Sequence, residues 1–311
     1  MRPLLFVLED SHGLAKGLLH HIGIDVGEIE RREFPDGESY VRLLTTVAGR
    51  DVVLLCSLDQ PDAKTVPLLF AADAARTQGA RSVGLVAPYL AYMRQDKAFR
   101  PGEAVTSVTF SHLLSNQFDW LVTVDPHLHR YPRLDAIYSI PAIAASAVAP
   151  IAEWIAKNVE RPFLIGPDIE SEQWVEEIAR LATVPFTVFH KTRLGDRQVS
   201  IEGTKAPIPP DATPVIIDDI ASSARTMIEA VRLLKLNGFQ APLCIVVHAL
   251  FAGNAFPRLL EAGPGAIVST NTVAHETNAI DVSAAIAEAI QRALALPGSQ
   301  TETGATGTVS A

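Results

Sequence analysis

The sequence predicts an α/β protein in two halves, each a mainly parallel sheet flanked by helices. Short apolar runs alternate with amphipathic stretches from end to end, the pattern of strand, helix, strand units. The runs are almost continuously apolar, as strands covered on both faces require. There is also an internal echo: "DVVLLCS…PLLFAADAARTQGARSVGLVAP" and "TPVIIDD…TMIEAVRLLKLNGFQAPLCIVVHA" each read as strand, loop, helix, glycine and strand.

In chain order, the first strand is expected over 4–9 ("LLFVLE") and the second over 51–57 ("DVVLLCS"). An apolar helical period over 67–78 ends at Gly79 and leads into a strand over 82–88 ("SVGLVAP"). A helix over 105–116 precedes a strand over 120–126 ("WLVTVDP"), and an Ala-rich helical segment over 141–157 bridges the halves. The second half repeats the rhythm: strand 163–168 ("FLIGPD"), helix 171–182, strand 213–219 ("TPVIIDD") and helix 225–237 stopped by Gly238. Strands over 243–249 and 266–271 and a helix over 281–295 complete it. The expected units are 1–145 and 146–296. The tail 297–311 ("PGSQTETGATGTVSA") is small and polar, too poor in apolar residues to bury a core, and is expected to be disordered.

Bulk properties narrow the function. A chain of 311 residues exceeds the size at which one core keeps growing, which agrees with two domains. Hydrophobic residues make up 48% and charged residues 20%, enough apolar material for buried sheets. The net charge of −9 opposes a surface built to neutralise nucleic acid, so any phosphate must be held locally. Cys56 and Cys244 sit inside apolar runs and read as small buried hydrophobes, not as a disulfide framework. The N-terminal apolar run is too short for a signal peptide, and no segment has the apolar length of a membrane span. A cytoplasmic setting is expected.

In open α/β sheets, ligands sit beyond the carboxyl ends of the strands. Functional groups gather there: "PYLAYMRQDK" (88–97), "DPHLHR" (125–130), "GPD" (166–168) and "DDIASSART" (218–226). Asp218 and Asp219 close an apolar run, and adjacent carboxylates repel unless a cation or sugar hydroxyls share them. Two readings stand: caps of the next helix, or holders of ribose hydroxyls or a hard divalent metal. The following "ASSART" offers hydroxyls and backbone N–H groups at a helix start, where a phosphate is favoured. His20, His21, His112 and His275 lack partners at metal-ligand spacing, and Trp120, Trp154 and Trp174 read as packing residues.

This last stretch resembles a phosphoribosyl-pyrophosphate loop. Together with "FPDGE" (34–38), "PYLAYMRQDK", "DPH", "GPD" and "KTR" (191–193), it resembles the ribose-phosphate pyrophosphokinases, most of all their archaeal-type members, over the chain up to about residue 290. The resemblance implies two phosphoribosyltransferase-like domains, the first on the ATP side and the second on the sugar-phosphate side. It implies transfer of the terminal diphosphate of Mg·ATP to ribose 5-phosphate, with Mg²⁺ as cofactor, in a homo-oligomer with a shared nucleotide site. Phe34, Asp36 and Glu38 would reach ATP bound in a neighbouring subunit, and Arg94, Gln95, Asp96 and His127 would line the nucleotide site. His127 and Asp168 would bind metal, with Asp168 also near the ribose. Asp218, Asp219, Ser222, Ser223, Arg225 and Thr226 would hold ribose phosphate. Lys191 and Arg193 would close over the phosphates as catalytic cations.

Two departures face the sugar. Ala224 and Arg225 stand where similar proteins carry a Gly-Gly pair, and Glu170 and Ser171 replace a Gly-containing turn. A Cβ resists both close phosphate approach and positive φ. Three readings follow: hydroxyls and Arg225 replace lost amides, the acceptor is a different sugar phosphate, or the chain is a silent regulatory homologue. A phosphoribosyltransferase would share the paired acids but would not need "FPDGE" or "YMRQDK".

Overall fold

The structure is a computed structural model describing residues 1–9, 13–128, 130–193, 199–203, 207–239 and 241–296, with backbone alone over 190–193 and 199–203. The first half contains β1 (Leu4–Val7), α1 (Leu14–His21), β2 (Asp25–Val26), β3 (Ile29–Glu33), β4 (Ser39–Leu43), β5 (Asp51–Leu55), α2 (Pro61–Thr77), β6 (Ser82–Ala87), α3 (Thr106–Gln117), β7 (Trp120–Val124) and β8 (Ala142–Ala145). Then come α4 (Val148–Asn158), β9 (Pro162–Gly166), α5 (Glu172–Ala182), β10 (Phe186–Arg193), β11 (Val199–Gly203), β12 (Thr213–Ile220), α6 (Arg225–Leu236), β13 (Leu243–His248), α7 (Ala255–Ala262), β14 (Ala266–Thr270), β15 (Asn278–Ile280) and α8 (Ser283–Ala295).

One sheet has the order β2-β1-β5-β6-β7-β8 and the other β11-β10-β9-β12-β13-β14-β15. The runs β1-β5-β6-β7-β8 and β9-β12-β13-β14-β15 are parallel throughout and have the same relative order. The internal echo in the sequence is therefore a repeat of topology. Each half also inserts an antiparallel hairpin before its second long strand, β3 with β4 and β10 with β11.

Three apolar clusters explain the layering. A central one joins Leu14 and Leu18 of α1, Ile151 and Ile155 of α4, Val175 and Ile178 of α5, and Ile286 and Ile290 of α8 to one face of each sheet. These eight side chains are fully buried, and each such burial contributes roughly 1.5–3 kcal/mol. The outer faces are covered by α2 and α3 on the first sheet and by α6 and α7 on the second. Helix α8 follows the second sheet but packs on α1, β7 and β8 of the first. Both halves thus share one core.

The predicted strands and helices form, two of them with changed bounds, while α1, α7 and the strands β2, β3, β4, β10, β11 and β15 are additions the sequence reading lacks. The helix expected over 141–157 is divided: Ala142–Ala145 is β8, paired with β7, and the helix starts at Val148. Alanine's helix preference is weak against the ladder available at the open edge of β7. Helix α2 begins at Pro61 and carries Pro67 inside, whereas the sequence reading began it at 67. Proline suits a first helical position, and the buried stripe Leu68, Ala71, Ala72 and Ala75 outweighs the bond lost at Pro67. Cys56 and Cys244 are free and buried, as expected, and burial pushes the Cys56 thiol up to about 12. Trp120 packs on Gly84, where a Cβ would lie 2.0 Å from the indole. The tail from 297 lies outside the described residues, and no helix among them is long and apolar enough to cross a membrane.

The sheets meet at their carboxyl ends. Ser57, after β5, donates to the Thr272 carbonyl at 2.6 Å, and His248, ending β13, lies 3.1 Å from the Val124 carbonyl at the end of β7. The loops after β6, β7, β9 and β12 are thereby gathered around one cleft.

Candidate active site

A cavity of about 530 Å³ opens between the two sheets. Arg94, Asp125 and His127 line it from the first, and Asp168, Asp218, Asp219 and Thr226 from the second. Strand β12 delivers the paired acids, and the Asp219 N–H turns back to donate to Asp218 Oδ1 at 3.0 Å. Desolvation, followed by the carboxylates of Asp219 and Asp168, pushes the Asp218 carboxyl well above the usual range. Such a carboxyl gains from any cation or hydroxyl donor brought to it.

Asp168 follows β9 and caps a short helical turn, its Oδ1 accepting from the N–H groups of Glu170 (3.1 Å) and Ser171 (3.3 Å). Burial, then Glu170, raises its pKa. Gly166 makes this turn possible, because a Cβ there would lie 2.5 Å from Ser171 Oγ. Across the cleft, Asp125 sits at φ 32° and its Oδ2 accepts from the Ala147 N–H at 2.7 Å. Desolvation raises its carboxyl to about 6. The halves touch where His127 Nδ1 lies 2.7 Å from Asp219 Oδ2.

Residues 4–117 match the family described as the N-terminal domain of ribose phosphate pyrophosphokinase, and 133–282 match the phosphoribosyl transferase domain. The ribose-phosphate pyrophosphokinase of Methanopyrus kandleri is 32% identical over 291 residues, 92% of this chain and 99% of that one. The chain belongs to the ribose-phosphate pyrophosphokinase family. The enzyme of that name from Saccharolobus solfataricus is 32% identical over 285 residues, 89% of this chain and 96% of its own. In fold, the chain is similar to phosphoribosylpyrophosphate synthetase from Mycobacterium smegmatis, with a TM-score of 0.81, 24% identity and coverage of 94% and 99% of the two chains. The archaeal-type resemblance and the two phosphoribosyltransferase-like domains read from the sequence both hold.

Not all the ribose-phosphate pyrophosphokinase motifs meet in the cleft. Arg94, His127, Asp168, Asp218, Asp219 and Thr226 do. Asp96 does not: both its oxygens lie 3.1 Å from Arg130 Nη1 and its side chain is only 4% exposed. It anchors the segment that carries Arg94. Gln95, 3.4 Å from Thr106 Oγ1, and Ser222, Ser223 and Arg225 also lie outside the cavity wall. Phe34, Asp36 and Glu38 are exposed at the β3–β4 turn, with the Arg32 guanidinium 4.3 Å from the Phe34 ring centre. Lys191 and Arg193 belong to the β10 backbone, and their side chains lie outside the described residues.

The missing glycine is conformationally replaced. Ala224 adopts φ 53°, ψ 16°, the left-handed form, directly before α6. Left-handed backbone costs an L-residue roughly 1–2 kcal/mol. Its methyl is buried among the residues under α6, which offsets part of that cost.

Several residues were missed from sequence. Asp125 stood inside the quoted "DPH" but only His127 was singled out, and His248 was hidden within an apolar strand. Trp174, read as packing, does pack on the central core but also lines the cavity beside Glu170. Among the described residues, no group of three His, Cys, Asp or Glu side chains forms a metal cage. The oxygens of Asp168, Asp218 and Asp219 still suit Mg²⁺, which takes one or two carboxylates and completes its shell with water and substrate phosphate.

Proposed function

We propose that the chain transfers the terminal diphosphate of Mg·ATP to the anomeric hydroxyl of ribose 5-phosphate, giving phosphoribosyl pyrophosphate and AMP. The observation that carries this reading is the His127 to Asp219 contact, which brings the "DPH" turn of the first sheet against the paired acids of the second. The acceptor oxygen attacks the β-phosphorus, the bond from that phosphorus to the oxygen bridging to the α-phosphate breaks, AMP departs with the bonding pair on that oxygen, and the hydroxyl proton passes to water. Asp218 and Asp219 accept the ribose hydroxyls. Thr226 and the first N–H groups of α6 hold the 5-phosphate at the positive end of the helix. Arg94 and His127 face the triphosphate, and Asp168 supplies a carboxylate to Mg²⁺, which screens phosphate charge when bound. Little covalent work falls to the protein in such a transfer; position and charge carry it.

The exposed Phe34, Asp36 and Glu38 serve the nucleotide of a second copy in this reading, so the working form is a homo-oligomer. Sedimentation should show an oligomer, and a purely monomeric active protein would remove that role. A cytoplasmic setting belongs to the same reading.

The test is AMP release from Mg·ATP with ribose 5-phosphate, the sugar product followed by phosphorus NMR. AMP together with a new anomeric diphosphate is expected. Turnover only with another sugar phosphate, or base exchange with phosphoribosyl pyrophosphate instead, would overturn the assignment. Because Ala224 already has the glycine-like conformation, Ala224→Gly is expected to change stability by no more than about 1 kcal/mol and to leave ribose 5-phosphate affinity nearly unchanged. Urea unfolding and substrate titration check both.

A further inference from the structure

The strand-end residue His248 is 1% exposed and takes no part in the mechanism above. Its Nε2 faces two carbonyl oxygens, Val124 at 3.1 Å and Asp125 at 3.4 Å. Carbonyls only accept, so Nε2 carries the hydrogen. Nδ1 lies 2.9 Å from Thr272 Oγ1, a hydroxyl that also lies within donating distance, 2.9 Å, of the Val247 carbonyl. The Val247 carbonyl also accepts from Thr270 Oγ1 at 2.7 Å. Burial holds the ring's pKa down to about 4, and with the ring neutral the one Thr272 hydroxyl hydrogen is shared between Nδ1 and the Val247 carbonyl. The Tyr89 ring packs edge-on at 5.0 Å.

The placement connects both arms of the cleft. Through its side chain, His248 grips the carbonyls at the start of the Asp125 to His127 turn. Through its backbone, its carbonyl accepts from Ala221 N–H at 3.1 Å, just past Asp219, and it pairs with Ile220 in the sheet. One residue therefore sets the separation of the two segments that meet at His127 and Asp219. We propose that His248 is a positioning residue that holds the Asp125–His127 turn in register with Asp219. This rests on the diphosphate-transfer reading for its effect on turnover, but not for its effect on geometry.

The test uses full-length His248→Phe and His248→Gln, with the His127 ring signal followed by NMR on histidine-labelled protein. Phe keeps a ring against Tyr89 and removes both hydrogen bonds, while Gln retains an N–H for the Val124 carbonyl. In folded His248→Phe, kcat should fall about tenfold to a hundredfold, as a displaced reacting group predicts, and the His127 signal should move. His248→Gln should recover much of both. A folded His248→Phe with wild-type kcat and an unmoved His127 signal would reduce His248 to a stability residue and overturn the proposal. Should His248→Phe fail to fold, Thr272→Val, which frees the ring at Nδ1, must shift the His127 signal; no shift overturns it equally. If the wild type makes no AMP, the functional reading fails and the His127 signal alone decides the positioning role.

Discussion

Asp219→Asn is expected to remove most turnover while raising the melting temperature of the ligand-free protein. The amide keeps the shape and an oxygen for the His127 contact at 2.7 Å, so the cleft should hold its geometry. What disappears is a charge beside Asp218, whose carboxyl is already pushed up by desolvation and by its acidic neighbours. Removing that repulsion should stabilise the empty fold by about 1 kcal/mol, a familiar exchange at sites strained for function. In the proposed reaction the same charge receives the ribose hydroxyls beside the Mg²⁺-linked phosphate, so turnover should fall about a hundredfold or more. The sugar KM should rise too, since hydroxyl binding is lost before the transition state as well as in it. Thermal unfolding and the AMP assay check the pair of effects. A lower melting temperature would mean that the His127 contact outweighs the repulsion.

The parallel strands were readable because they are covered on both faces, which leaves long apolar runs such as "DVVLL" and "LCIVV". The hairpin strands were not, because "IERRE" of β3 is largely exposed and needs few apolar residues. Residues Ala142 to Ala145 misled for a different reason: whether alanine joins a ladder or a helix depends on the neighbour, and β7 is distant in sequence. The site followed the same logic. Asp168, Asp218 and Asp219 stand at strand ends, where carboxylates have an obvious use. His248 also ends a strand, but its partners Val124 and Thr272 come from different sheets, and nothing near it in sequence signals them. Asp96 shows the converse, a motif residue whose local pattern hid its pairing with Arg130.

The largest expected effect is that of Lys191→Ala. Strand β10 runs beside β9 only from Phe186 to Val188, then continues as a two-stranded ribbon with β11, where Lys191 stands opposite Ile201. That ribbon extends past the carboxyl end of β9, the end that carries Asp168 into the cleft. Its pairing is made by backbone groups, so alanine leaves it intact, and stability should change by no more than about 0.5 kcal/mol. A cation that reaches the phosphates from such a ribbon acts chiefly where charge develops, and its loss should lower kcat about a thousandfold. We propose that Lys191 acts in the transition state and not in ground-state binding, so kcat and kcat/KM should fall together. Asp219→Asn should instead raise the sugar KM, so steady-state kinetics on the two variants tests whether Asp219 holds the acceptor and Lys191 answers the moving charge. Lys191→Arg, which keeps the charge, should recover part of the rate; an unchanged rate in Lys191→Ala would place Lys191 outside the mechanism, and no recovery by arginine with a raised KM would place it in binding.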